Sequence, residues 1–371
     1  MNRPLQYPQI FPAEALPLDQ ERLASPEFAE WLLRSPVHSK LIPHVSHLLE
    51  ERSLVLPGDM AENLRQQRVA SLMHVMRLKA ENDCLMAALH QAGIRCIPLK
   101  GAVLAEKLYS SLDQRPFGDI DLMVEPESLA SAAKILLDSG YEDVSSNLKQ
   151  FHLEFQKTLS SGRVIPVELH QRPLGYAIGD DHLVFGLAGS RGFNDWIWSR
   201  AQPGEVHWDM HPADELVYLC LHLAKHIILE SRLYVDGVAC SSLLLARDIN
   251  LVVGQWGSDL DWGSFFATVE RFHLTQPVRM SLALTRTWFN DERTELDGFV
   301  AAFPAWRAKY YFDWASNPWK SPPWRIPGPH QLEMVFDTMM MADHWSDRLL
   351  ILPLVVGELF RRKGTGRVSH G

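Results

Sequence analysis

From Ser25 to about Leu89 the apolar positions recur every three or four residues, as in FAEWLLRSPVHSKLIPHVSHLLEE and NLRQQRVASLMHVMRLKAENDCLMAALHQAG. That spacing puts them on one side of a helix and predicts a helical N-terminal cap over residues 1–92. Gly93 stops the last helix, and the pattern then changes. IRCIPL is short, apolar and compatible with a strand, KGAVLAEKLYSS is helical, RPFGD turns, and IDLMV is a second buried strand. ESLASAAKILLDSGYE predicts an amphipathic helix closed at Gly140, and HLEFQKTLSSGRVIPVELH predicts two strands joined through Ser-Ser-Gly. An irregular stretch follows Pro173. Helical periodicity returns at PADELVYLCLHLAKHIILE, which opens with proline at its first position and two acidic residues in its first turn. Further helices are predicted near Ser241–Val253, Trp262–Phe272 and Pro277–Trp288, whereas PWKSPPWRIPGPH reads as a loop. The whole predicts an α+β chain with a mixed α/β core over residues 93–175 and a helical C-terminal lobe over residues 176–371.

Composition narrows the class. With 371 residues, 46% of them hydrophobic and 22% charged, the chain has the material for two packed lobes of a globular protein. A formal net charge of -9 argues against a broad grip on nucleic acid, since phosphate backbones are held by clustered Lys and Arg. Cys84, Cys96, Cys220 and Cys240 are too scattered for a disulfide framework or paired zinc ligands. The segment MNRPLQYPQIFP lacks the apolar run of a signal peptide, and Leu349–Gly357 falls short of the ~20 residues that span a bilayer. The expectation is a cytoplasmic protein with no membrane span, its basic tail RRKGTGRVSHG solvated.

The chemistry concentrates in GDIDLMV. Asp119 and Asp121 lie two apart at the mouth of a strand, so their carboxylates share a face at a spacing of roughly 6 to 7 Å. Ile120, Leu122 and Val124 point the other way, into the core. Such oxygen donors suit Mg²⁺, and two ions about 4 Å apart can clamp both oxygens of an in-line displacement at phosphorus. Asp-x-Asp alone also occurs on solvated strands. Glu168, between Val167 and Leu169, supplies a third carboxylate if its strand pairs beside the first; the bland reading makes it a surface residue. Lys100 and Gly101 stand where a strand hands over to a helix, a place where free N–H groups and the helix dipole bind phosphate. Arg115, just before Gly118, could neutralise the same phosphates or pair with a neighbouring carboxylate.

Taken together, LKGAVLAEKLY, RPFGDIDLMV, a helix ending DSGYE, and VELHQRP resemble an uncharacterised nucleotidyltransferase family whose members often accompany peptide-maturation or capsule-type gene clusters. More distantly they are similar to antitoxin-linked and aminoglycoside nucleotidyltransferases of the DNA polymerase beta superfamily. The resemblance continues through LCLHLAKH, LLLARDINLVV and LDWGSFFATVERFHL, covering roughly Gly93 to Trp288. It implies a polymerase-beta-like nucleotidyltransferase core: a mixed sheet with flanking helices. Asp119, Asp121 and Glu168 match the catalytic metal carboxylates, and Lys100 and Gly101 match the phosphate turn, with Arg115 and Gly118 beside it. The implied activity is transfer of a nucleoside monophosphate from an NTP, with ATP expected, to a small-molecule, peptide or saccharide acceptor, with two Mg²⁺ ions as cofactors. Ala102 departs from the wider superfamily, where a serine or second glycine often follows the first, so phosphate binding would rest on backbone N–H groups and nearby cations.

His222 and His226 share a helix face with Lys225 alongside; without a third ligand or a His-Glu-x-x-His pattern, zinc is not expected there. The resemblance implies that Lys225 and His226 face the cleft, although packing between lobes would explain them equally. Asp248 in ARDINLVV could orient an acceptor or simply pair with a cation, and His170, two beyond Glu168, is placed to support it. Competing readings are a nucleotide-binding regulatory or scaffold subunit and a toxin-like enzyme that modifies tRNA.

Overall fold

The computed structural model describes residues 58–145, 152–173, 192–227, 238–289 and 294–304, with a few single positions outside these. The helical segment before residue 58, the loop PWKSPPWRIPGPH and the basic tail lie outside the described residues. The first continuous described stretch begins with the long helix α1 (Gly58–Gln91). Gly93, at φ +72°, closes it, and the Ile94 N–H returns to the Leu89 carbonyl to satisfy the frayed end.

A five-stranded mixed sheet follows, in the order β1-β2-β5-β4-β3. Its members are β1 (Cys96–Leu99), β2 (Ile120–Val124), β3 (Glu142–Asp143), β4 (His152–Thr158) and β5 (Val164–His170). Helix α2 (Gly101–Leu108) joins β1 to β2, and α3 (Leu129–Asp138) leads from β2 to β3. β2 runs antiparallel to β1 and parallel to β5, while β4 and β5 form the hairpin predicted from the Ser-Ser-Gly turn. Pro98 is tolerated because β1 is an edge strand, and Pro166 because the β2–β5 ladder begins one residue later, at Val167.

The two faces of the sheet have different neighbours. Cys96, Ile120, Leu122, Val124, Phe155, Val167 and Leu169 join Val75, Leu78, Leu85 and Leu89 of α1 and Ala132 and Leu136 of α3 in one apolar core. Ile97, Leu99 and Met123 face the opposite way, into the core of the helical lobe. That lobe contains α4 (Phe193–Arg200), α5 (Pro212–Lys225), α6 (Val238–Trp256), α7 (Trp262–Arg271), α8 (Thr275–Phe289) and α9 (Asp297–Ala301). Twelve consecutive residues of α5, Ala213 to Ala224, are buried, as expected of a central helix packed on every side. A small ribbon, β6 (Gln202–Pro203) with β7 (Trp208–Asp209), appears within the stretch before Pro212 that the sequence predicted as irregular.

Among the polar contacts between the helical lobe and the α/β core, two centre on arginines. The Arg95 guanidinium lies 3.9 Å over the Trp208 ring and 5.0 Å over Trp198, and it donates to the Glu125 carboxylate and the Trp198 carbonyl. Arg115 donates to both carboxylate oxygens of Asp248 on α6, the shortest contact being 2.7 Å.

Candidate active site

Register places the acidic residues. Asp121 and Glu168 are directly paired across β2 and β5, and parallel neighbours lie about 4.8 Å apart, so their side chains rise together. They rise on the face turned toward the helical lobe, opposite to Leu122 and Leu169, because side chains alternate along a strand. The next rank in the same direction is Met123, His170 and His152, and Glu154 continues the Asp121–Glu168 rank on β4. Asp119, half-buried, precedes the strand at the rim of a small cleft bounded by Lys100–Val103, Phe117, Asp121 and Asn82 of α1.

The turn from β1 into α2 has unusual backbone. Lys100 has φ 55° and Gly101 φ 42°, both in the left-handed region. Gly101 packs against the Phe117 ring and the Asp119 carbonyl; a Cβ there would sit 3.6 Å and 3.8 Å from them, so space exists and the backbone angle is what selects glycine. This conformation sends the Lys100 ammonium back over the sheet to Asp121 Oδ2, 2.9 Å away.

A row of alternating charge results. The other Asp121 oxygen contacts His170 Nε2 at 3.0 Å, the same nitrogen lies 3.3 Å from Glu168 Oε2, and His152 Nε2 lies 3.9 Å from that oxygen and 3.3 Å from Glu154 Oε1. Burial alone would raise the Asp121 carboxyl, but Lys100 and the His170 hydrogen bond outweigh it and hold the group well below the usual carboxylate range. For Lys100 burial acts downward, yet the charges of Asp121 and Asp119 and the ion pair with Asp121 keep it firmly protonated. His170 is pushed up: its burial is overcome by the hydrogen bonds to Asp121 and Glu168. Burial likewise works against ionised Glu168, and the His170 bond brings it below its ordinary value.

Helix α5 roofs the site. Tyr218 and His222 stack at 5.9 Å, and His222 Nε2 lies 3.2 Å from His226 Nε2. Burial, then the nearby Lys100 charge, drives His222 far below its ordinary value, so it is neutral. Of the residues singled out on this helix, Lys225 and His226 are half-buried near its end, while Tyr218 and His222 occupy the buried positions.

The structure brings Lys100, Gly101, Asp119, Asp121, Glu168 and His170 together, with exposed Gly118 beside them. It directs Arg115 and Asp248 elsewhere: both are buried, the carboxylate also accepts from the Tyr109 hydroxyl at 2.8 Å, and the pair ties the loop before Asp119 to α6. Asp113, held by Arg68 of α1, anchors that loop from the other side. His152, Glu154, Asn82, Tyr218 and His222 were not singled out with the site by sequence, although the hairpin itself pairs His152 with His170. Among the described residues the set whose ligand atoms gather most tightly is His152, Glu168 and His170, all within 4.8 Å; Asp121 is drawn instead to Lys100 and His170.

The model of a family described as "Uncharacterised nucleotidyltransferase" matches residues 26–290. The chain belongs to this family. The match runs from before α1 to the end of α8, so for this nucleotidyltransferase the family unit includes the sheet and most of the helical lobe. A comparison with curated proteins finds no match. Among solved structures, an antigenic nucleotidyltransferase-like protein from Paracoccidioides brasiliensis is similar at 16% identity and a TM-score of 0.35, covering 61% of this chain and 92% of that one.

Proposed function

We propose that this nucleotidyltransferase moves a nucleoside monophosphate from a magnesium-bound NTP to an acceptor oxygen, with release of pyrophosphate. The observation that carries the reading is the pairing of Asp121 with Glu168 on adjacent parallel strands, with Asp119 at the strand mouth beside the Lys100–Gly101 turn. The donor chemistry fits a hard divalent cation: three carboxylates in or beside two neighbouring strands, two of them, Asp119 and Glu168, half-buried. Asp119, Asp121 and Glu168 would hold Mg²⁺, which when bound supplies charge neutralisation at the attacking and leaving oxygens.

The chain's own groups do the rest. N–H groups at the start of α2, aided by its dipole, receive the phosphate tail, and the Lys100 ammonium adds positive charge beside them. The acceptor oxygen bonds to the α-phosphorus as the bond from that phosphorus to the pyrophosphate oxygen breaks, and the acceptor proton passes to the Glu168 carboxylate. Glu168, one-third exposed at its side chain, is the acid that an entering acceptor can reach, whereas Asp121 is 2% exposed. Tyr218 and His222 close the site from above and exclude water. Arg115 and Asp248 contribute by holding the loop that carries Asp119. The acceptor is a small molecule, peptide or saccharide, in keeping with an acidic chain.

The test incubates purified protein with Mg²⁺, labelled NTPs and fractionated lysate acceptors. Acceptor-dependent labelling with pyrophosphate release, abolished in Asp121→Asn, is expected. Absence of NTP binding, with Asp121→Asn indistinguishable from the parent, would remove the reading.

A further inference from the structure

The site holds more nitrogen than an all-oxygen magnesium centre requires. His152 and His170 come from the two strands of the hairpin, stand at the same register position, and lie with ring centroids 5.1 Å apart. Both are about 94% buried, so their rings are fixed by packing. Their Nε2 atoms converge on one oxygen, Glu168 Oε2, at 3.9 Å and 3.3 Å. Donors bound to a common tetrahedral ion at metal distances of about 2.0–2.1 Å stand about 3.4 Å from one another. The His170–Glu168 edge has that length already and the His152–Glu168 edge needs to close by roughly 0.5 Å; the three donor atoms, which lie within 4.8 Å of one another, gather onto one ion by rotation of the His152 side chain.

We infer that His152, Glu168 and His170 form a binding site for a borderline transition-metal ion of the Zn²⁺ or Co²⁺ class, adjoining the carboxylate site. Two imidazoles and one carboxylate select against Mg²⁺, which favours oxygen and retains its waters, and in favour of ions that accept nitrogen. The neighbouring carboxylates complete the surroundings: Asp121 Oδ1 lies 3.0 Å from His170 Nε2, and Glu154 Oε1 lies 3.3 Å from His152 Nε2. Asp121 can become a fourth donor. Glu154 is placed to orient the His152 ring, as carboxylates beside metal-bound imidazoles commonly do. The site shares Glu168, and through the fourth position Asp121, with the proposed magnesium cluster, but its existence does not depend on the transferase reading.

Cobalt separates the two. The full-length protein, stripped with chelator and titrated with Co²⁺ in a large excess of Mg²⁺, should bind one equivalent with the intense visible d–d bands of a low-coordinate ion bound to nitrogen. His152→Gln should weaken Co²⁺ binding by more than the ~10–100-fold that loss of a supporting residue costs at metal sites. His152→Cys should restore binding and add a thiolate-to-cobalt charge-transfer band in the near ultraviolet, which shows ligation directly and guards against a variant that merely misfolds. No binding under excess Mg²⁺, or bands unchanged in His152→Gln, or no charge-transfer band in folded His152→Cys, overturns the inference. Mg²⁺-NTP binding, followed separately by calorimetry, reports on the transferase reading, so either can fail while the other stands.

Discussion

Asp121 and Glu168 face each other across two parallel strands, and a single imidazole nitrogen, Nε2 of His170, lies within 3.0 Å and 3.3 Å of their oxygens. Two carboxylates this near would repel; His170 and the Lys100 ammonium compensate them. Asp121 and Glu168 are thus each paired with a nitrogen, and removing a member of these pairs leaves its partner exposed to the cost of burial.

Asp121→Asn keeps the shape of the side chain and removes its charge. Transfer should fall by a factor on the order of 100 or more, corresponding to the several kcal/mol that metal-ion charge stabilisation provides. The melting temperature should also drop, because buried Lys100 loses its counter-ion. Initial rates and thermal unfolding of the same preparation check both effects.

Arg115 and Asp248 form a buried pair whose side chains are 7% and 0% exposed. Arg115→Met or Asp248→Leu alone should cost about 3–5 kcal/mol, because each leaves an unpaired buried charge. The double substitution should recover most of that loss. A double-mutant cycle by urea unfolding measures the difference; additive single costs would show that the pair is not coupled.

Glu215, on α5 beside Lys107, Asp209 and Asp248, gives the fold a pH dependence. Burial pushes its carboxyl up to about 7, against an ordinary value of 4.5. A raised carboxyl binds its proton more tightly in the folded state, so its contribution is fully present below about pH 4.5 and lost as pH rises through about 7. Glu215→Gln should thus stabilise the protein above pH 7 by on the order of 3 kcal/mol and change little at pH 4. Denaturation midpoints across that range are the readout, and equal effects at both ends would contradict it.

Gly101→Ala should destabilise by about 1 kcal/mol, since alanine is strained at φ 42°, and should also weaken Mg²⁺-NTP binding by reshaping the turn. Gly93→Ala is a matched control: it places the same strain at φ 72°, at an exposed helix end with open space around it. Calorimetry should find nucleotide affinity lowered only in the first.

Much of this architecture was legible because it depends on local period. The strands around Leu99, Leu122 and Leu169, the Ser-Ser-Gly hairpin and the helix beginning at Pro212 occur where the spacing predicted them. Helix α6 extends beyond the predicted Ser241–Val253 at both ends, to Val238 and Trp256. The ribbon at Gln202–Pro203 and Trp208–Asp209 was missed: two-residue strands carry no period to detect. Arg115 carried two readings in sequence, phosphate ligand or ion-pair partner; only the position of Asp248, 133 residues further on, shows which carboxylate it meets.

By itself the sequence determined which side chains of a strand share a face, since alternation along a strand is a property of the backbone: Glu168 with His170 on β5, and Asp121 with Met123 on β2. Tertiary structure decided which strands lie together and in what register. The parallel β2–β5 pairing that sets Asp121 against Glu168, and the hairpin that adds His152, depend on burying Leu122, Val167 and Phe155 in one core. A shift of one residue would turn every carboxylate into that core, and the cost of burying unpaired charge is what selects the register observed.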